Sequence, residues 1–267
     1  MEQPMTEIRL GTQGWSYPDW LGSFYPPDAR PTDYLRFYSQ IFDTVELDTT
    51  FYSTPRPDLV RSWRDNTPNG FLFTAKLPQA ITHKKRLKDC EGELDAFVSA
   101  MRLLGPKLGA LHIQLPPDFH YEEIANLQAF LPLLPGDVSF AIEFRHRSWL
   151  RDDVLQLLHR YNVAWCIIDL YYMPRLPYIT ADVAYVRWLG DRRQISRFDH
   201  IQIDRSEQMK KWAAVLQEIA PGVRRIYGFY NNHYAGHSPA SVNQMKSLLG
   251  LPPVNPIDRW TRQAGLF

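Results

Sequence analysis

The run Ala141-Ile-Glu-Phe-Arg-His-Arg-Ser-Trp149 passes directly from apolar residues to a carboxylate and a guanidinium two positions apart. On a β-strand, residues two apart share a face, so Glu143 and Arg145 project together from the strand's end. Charge at the end of a buried strand is costly to desolvate unless it is paired or used. Other apolar runs finish the same way: in Glu46 and Asp48, in Lys76, in His112 and Gln114, in Asp169, in Tyr185 and Arg187, and in Asn231. Arg145 beside Glu143, with Arg187 and Lys76 near, favours an ionised carboxylate suited to act as base, nucleophile or orienting acceptor. Glu46 or Asp169 is the candidate second carboxylate, and two carboxylates flanking a bond fit glycoside-type hydrolysis. The guanidiniums of Arg145 and Arg187, with Lys76, match the oxygens of a phosphate or carboxylate, or else they neutralise the acids. Gln114 and Asn231 are suited to orient hydroxyls. His83, in the polar segment Ala80-Ile-Thr-His83, is a further acid–base or anion-contacting candidate. A divalent-metal cage of Glu46, Glu143, Asp169 and a histidine is disfavoured, because three cations oppose it and no HExxH spacing occurs.

Those side chains meet only if the strands are laid side by side. Strand signals fall at Ile8–Gly14, Thr44–Leu47, Phe71–Lys76, Leu108–Leu115, Ser139–Phe144, Ala164–Asp169, Val183–Leu189 and Arg225–Tyr230. Helical patterns lie between them at Thr32–Gln40, Pro57–Asn66, Glu91–Leu104, Tyr121–Leu131, Arg151–Tyr161, Ser206–Ile219 and Pro239–Leu249, with Thr32 and Ser206 as expected caps. The Pro- and Tyr-rich stretch Tyr171–Ala181 reads as a loop. Eight strands alternating with helices predict an α/β fold of the (β/α)₈ TIM-barrel type. The expected arrangement is one domain over residues 1–267, with the barrel at about 8–250 and a tail at 251–267. Gly11-Thr-Gln-Gly14 is too short for a dinucleotide-binding turn, which weighs against an open doubly wound sheet and gives no organic-cofactor motif. In a barrel the active site gathers at the carboxyl ends of the strands, so all the polar ends fall round one mouth.

A net charge of +1 gives no bulk attraction to nucleic acid or anionic lipid. Two cysteines without metal or redox spacing, no apolar leader and no membrane-length run lead to the expectation of a cytoplasmic protein. Eight tryptophans are many for this length. Trp15, Tyr17 and Trp20 follow the first strand, Phe51 and Tyr52 the second, and Trp149 the fifth. Rings there stack on a sugar or base, or wall off solvent.

In this order, several segments together resemble the YecE-like family, catalogued as domain of unknown function 72. They include Gly11-Thr-Gln-Gly-Trp-Ser-Tyr17, Trp20-Leu-Gly-Ser-Phe-Tyr-Pro26, Val45-Glu-Leu-Asp-Thr-Thr-Phe-Tyr52 and Phe73-Thr-Ala-Lys76 with Ile81-Thr-His83. Gln114-Leu-Pro-Pro117, Glu143-Phe-Arg-His-Arg-Ser-Trp149 and Tyr185-Val-Arg187 complete the series. The resemblance implies a TIM barrel and supplies no established reaction. It also implies a histidine before the glycine after strand seven, where this chain has Leu189 before Gly190; if that histidine is catalytic elsewhere, this chain has lost it or uses His83 or His233 instead. The last five residues, Gln263-Ala-Gly-Leu-Phe267, resemble the pentapeptide with which bacterial replication and repair proteins dock on the sliding clamp. That likeness implies Leu266 and Phe267 in an apolar groove anchored by Gln263. Ala264 stands where leucine is usual, and a tail packed on its own barrel is the alternative.

Three functions fit this pattern. The first is a hydrolase or isomerase acting on a small anionic or sugar-like substrate at the barrel mouth. The second is a nucleic-acid-associated protein that stacks a flipped or single-stranded base on Trp15, Trp20 and Trp149. The third is a silent binding barrel.

Overall fold

The computed structural model describes residues 6–260. Short runs of β-branched and aromatic residues form eight strands: β1 Glu7–Thr12, β2 Thr44–Leu47, β3 Leu72–Lys76, β4 Leu108–Gln114, β5 Phe140–Glu143, β6 Val163–Asp169, β7 Val183–Trp188 and β8 Arg225–Tyr230. Neighbouring strands pair in parallel in the order β1-β8-β7-β6-β5-β4-β3-β2. The helices are α1 Tyr34–Ile41, α2 Pro57–Asp65, α3 Glu91–Met101, α4 Ile124–Phe130, α5 Asp152–Arg160, α6 Ser206–Ile219, α7 Ser238–Leu248 and a short α8, Ile257–Trp260. This is the (β/α)₈ barrel expected from the alternation. The β6–β7 connection carries no helix, as its prolines and tyrosines predict. No helix among the described residues is long and apolar enough to cross a membrane.

Helix starts follow simple chemistry, though not always at the expected residue. Pro57 supplies the first turn of α2, and α5 begins with Asp152 and Asp153 and ends with His159 and Arg160, complementing its dipole. Thr32 lies inside a 3₁₀ turn, Pro31–Asp33, and caps nothing. Ser206 is already helical, and its N–H is taken by Asp204 at 2.9 Å, so Asp204 performs the capping expected of the serine.

The barrel closes where β1 meets β2, and closure there is only partial. Gln13 bridges Glu46, and the Gly14 N–H donates to the Glu46 carbonyl at 2.8 Å. Lower down, the Tyr38 hydroxyl stands in for the missing ladder, accepting from the Thr12 N–H at 2.9 Å and donating to the Thr44 carbonyl at 3.0 Å. The strands come so close at Gly11 that a Cβ would stand 2.2 Å from the Thr44 oxygen, so only glycine fits.

Alternate residues point into the barrel. Small residues on β4 to β6 (Ala110, Ala141, Ala164) leave room that Tyr185, Tyr227 and Phe229 fill; all are buried. The opposite faces meet the helices in a second, larger apolar layer. Above the inner aromatics, toward the carboxyl ends of the strands, the inward residues become polar.

Candidate functional site

The lower polar layer is an ion-pair network sealed from water. Glu46 on β2 and Glu143 on β5 are both 0% exposed, and Arg187 on β7 joins them. Arg187 donates to Glu46 from Nε at 2.9 Å and Nη2 at 2.6 Å, and to Glu143 from Nη1 at 2.7 Å. Tyr185, two residues before Arg187 on the same face, donates to Glu46 at 2.7 Å and accepts from Thr74 at 2.9 Å. Arg145, two residues beyond Glu143, donates to it through Nε. Burial opposes ionisation of Glu143, yet Arg145 and Arg187 hold it well below the usual carboxylate range. Burial, with Asp48 adding, raises Glu46 against the pull of Arg187. His112 lies flat against Tyr185 at 5.1 Å, and its Nε2 stands 3.1 Å from Glu143 without hydrogen-bond geometry. Burial first and Arg187 second keep His112 neutral.

Above this layer opens a cavity of about 540 Å³ at the C-terminal mouth. Its floor is Arg187, the top of that network, with the next inward residues of the other strands: Gln13, Asp48, Lys76, Gln114, Arg145 and Asn231. Phe51, Tyr52 and His83 wall one side, and Leu170 to Tyr172 and Leu189 to Arg193 wall another. Lys76 Nζ donates to Gln114 Oε1 at 2.6 Å and lies 4.0 Å over the Phe51 ring. Burial, then Arg187, lowers Lys76 to about 8. His83 sits in a π-helical turn, Ala80–Lys84, a rare form often found at functional sites, and packs edge-on against Phe51 at 4.9 Å. Burial, then Lys76, lowers His83 to about 4, so it is neutral at pH 7. Asn231 donates to Gln13 Oε1 at 2.8 Å, and Gln13 Nε2 is a buried donor with no partner among the described residues.

Of the expected catalytic residues, Glu143 and Glu46 meet in one network, but beneath the guanidiniums and outside the cavity lining. His83 lines the cavity. Asp169 does not belong to the mouth. Cys166 and Ile168 point inward on β6, so Asp169 points outward, where it accepts from Trp212 of α6 at 2.7 Å and pairs with Arg175 at 2.8 Å. The cage of Glu46, Glu143, Asp169 and a histidine is therefore not assembled. A different trio, His112, Glu143 and Cys166, brings its ligand atoms within 4.8 Å of one another, but Arg145 and Arg187 already occupy Glu143.

Among the expected binding residues, Lys76, Arg145, Arg187, Gln114, Asn231 and Tyr52 line the cavity. Trp20 and Trp149 do not: both are fully buried, bonded to Asn232 Oδ1 at 3.2 Å and to the Phe119 carbonyl at 2.7 Å. Trp149 also lies parallel to Phe144 and Phe119, bracing the loop that carries Arg145. Tyr17 packs on Trp20, and its hydroxyl is spent on the Gln13 carbonyl at 2.7 Å, while Trp15 packs edge-on against Trp63. These four aromatics support the mouth instead of lining it. Leu189, where the resemblance implies a histidine, lines the cavity. His233 instead packs against Phe198 at 4.9 Å. The tail residues Gln263, Leu266 and Phe267 lie outside the described residues.

Sequence reasoning overlooked Gln13 as a lining residue, along with Tyr171, Tyr172, Asp191, Arg192 and Arg193. Gln13 was findable, because it shares the inward parity of Gly11. The others sit on loops, where period two no longer applies. The loop after β7 is fixed by Gly190, at φ +70°, where a Cβ would stand 2.0 Å from the His233 carbonyl.

A family model described as "Protein of unknown function DUF72" matches residues 9–263. The UPF0759 protein YunF of Bacillus subtilis is 35% identical over 273 aligned positions, covering 91% of this chain and 95% of the relative. The UPF0759 protein YecE of Escherichia coli O157:H7 is 34% identical over 167, covering 61% of this chain and only 59% of that relative. A crystal structure of a DUF72 family protein from Thermotoga maritima superposes with a TM-score of 0.80 at 27% identity, covering 91% of this chain and 99% of that one.

Proposed function

This chain belongs to the DUF72 family of proteins of unknown function, and we propose that its barrel mouth binds a small, hydroxyl-rich molecule carrying a phosphate or carboxylate group and acts on it by acid–base chemistry of isomerase or hydrolase type. One observation carries the reading. Arg145 spends its Nε on Glu143, while its two terminal nitrogens have no hydrogen-bond partner among the described residues, and Arg145 and Lys76 line the same cavity. A guanidinium pre-oriented by a buried carboxylate and left with a free edge is a ready fork for a phosphate or carboxylate. The side-chain amides of Gln13, Gln114 and Asn231 supply donors and acceptors for hydroxyls.

Between the two reaction types the geometry favours isomerisation. Hydrolysis by two carboxylates needs both of them against the bond, and Glu46 and Glu143 are capped by Arg187 and Arg145. They act as positioning residues that aim the guanidiniums. Proton transfer then falls to His83 and Lys76, the neutral or readily neutralised groups on the wall.

A second reading, a base held at the mouth, rests on Tyr52 and Tyr171, which are 74% and 68% exposed at the rim. The buried tryptophans lend it nothing.

The test is a thermal-shift panel of sugar phosphates, sugar acids and nucleotides against wild type and Arg145→Gln. The proposal expects at least one phosphate or carboxylate compound to stabilise wild type, by about 2.7 kcal/mol at a hundredfold excess over Kd, and to lose most of that effect in the variant. Equal responses of both proteins to every compound would overturn it.

A further inference from the structure

Lys76 is over-equipped for a simple anion contact. Its Nζ projects from the end of β3 into the cavity, fixed at 2.6 Å from Gln114 Oε1 and 4.0 Å over the Phe51 face. Next to it, His83 is oriented by its neighbour. In the tautomer this role requires, the Thr82 hydroxyl donates to the Pro78 carbonyl at 3.4 Å and receives the His83 Nδ1–H at 2.9 Å. That assignment leaves His83 Nε2 as an unprotonated acceptor in the cavity wall. Across the floor, Arg145 and Arg187 supply fixed positive charge.

We propose that Lys76 is an amine nucleophile that condenses with the carbonyl group of an anion-bearing aldehyde or ketone, with Arg145 holding the anion and His83 relaying the proton. This rests on the reading of the mouth as an anion site and names its substrate class. In the first step the Nζ lone pair attacks the carbonyl carbon, a C–N bond forms and the π electrons move to oxygen. His83 takes the proton lost from nitrogen, and the oxygen takes one proton from solvent at the open mouth to give a carbinolamine, so that forming the iminium consumes one solvent proton overall. In the second step His83 returns its proton to the hydroxyl, which leaves as water as the C=N⁺ bond forms. No oxidant or reductant is needed. The iminium acidifies the neighbouring C–H, which is the bond an isomerase must break.

The free amine is available. Burial and the Arg187 charge bring Lys76 to about 8, so at about pH 7.5 roughly a quarter of the molecules carry it unprotonated, against about one in a thousand for an ordinary lysine. Arg145 differs in kind: in this scheme it binds the anion and forms no covalent bond.

The experiment is reductive trapping of the full chain with sodium cyanoborohydride and either dihydroxyacetone phosphate or pyruvate, read by peptide mass mapping, beside calorimetric binding of the same compounds without reductant. The proposal expects an adduct on the Lys76 peptide at least tenfold above any other lysine, absent in Lys76→Arg, with a labelling rate that rises through a midpoint near pH 8. Uncharged dihydroxyacetone should label the same residue more slowly. Binding without an adduct at Lys76 overturns the covalent role and leaves the anion site standing. Neither binding nor an adduct overturns both. Should Lys76→Arg fail to fold, the mapped position and pH midpoint in wild type decide the matter alone.

Discussion

Replacing Arg187 by methionine removes the one cation shared by two carboxylates that are each 0% exposed. Three charge-assisted hydrogen bonds disappear, two to Glu46 and one to Glu143. Glu143 keeps Arg145, whereas among the described residues Glu46 retains only the Tyr185 hydroxyl. Leaving one buried charge without its partner costs about 3–5 kcal/mol. At roughly 2–4 °C per kcal/mol for a chain of this size, the melting temperature should fall by roughly 6–20 °C. The loss must also depend on pH. Without Arg187, the forces left on Glu46 are mainly burial and Asp48, both of which favour protonation, so the variant's deficit should narrow as pH falls from 7 towards 5. The assay is urea unfolding followed by tryptophan fluorescence and circular dichroism at matched concentration. A deficit below about 1 kcal/mol, or one unchanged by pH, would mean that water reaches the carboxylates and that the sealed network is wrong.

Other consequences are simpler to check. His237, buried against Trp20 with Nε2 3.4 Å from Ser23 Oγ, has its pKa lowered by burial from 6.5 to about 4. The unfolded chain therefore binds its proton first, and stability present above pH 6.5 is lost as pH falls towards 4; denaturation of His237→Gln at stepped pH should show a shallower decline, and parallel slopes would contradict the assignment. Gly190→Ala should cost about 2–4 kcal/mol from its left-handed backbone and its collision with the His233 carbonyl, and should weaken ligand binding by moving the Arg192 loop; a variant as stable as wild type would show that the loop yields freely. Asp169→Asn should leave binding at the mouth within about twofold of wild type, because it faces Trp212 and Arg175. A loss matching that of Arg145→Gln would return Asp169 to the site.

Much of the scaffold was legible because it depends on local pattern. Thr44–Leu47, Arg225–Tyr230 and Ser206–Ile219 stand at the residues their apolar periods indicate. The meeting of Glu46, Glu143 and Arg187 followed from strand ends and period two alone. Asp169 failed for a related reason: nearness to a strand's end was used where parity decides, and the inward set on β6 is Ala164, Cys166 and Ile168. Trp20 and Trp149 follow strands in sequence but are drawn inward by rings distant in the chain, among them His237 and Phe119. No local signal marks such partners. The loops of Tyr171 and Arg192 were hidden for the same reason, since their course is set by contacts such as Gly190 against His233. That the carboxylates lie under the guanidiniums, and not beside them, is a matter of depth along the barrel, which spacing in sequence does not encode.

The central claim is that the free edge of Arg145 and the Lys76 amine form an anion site at the C-terminal mouth. Crystals soaked in tungstate, whose metal scatters anomalously, test it most directly. The expected result is a peak within hydrogen-bond reach of the Arg145 terminal nitrogens and Lys76 Nζ, lost in Arg145→Gln. An unoccupied mouth with the peak instead at the opposite end of the barrel, where Arg102, Arg224 and Arg225 line a cavity of about 250 Å³, would contradict it.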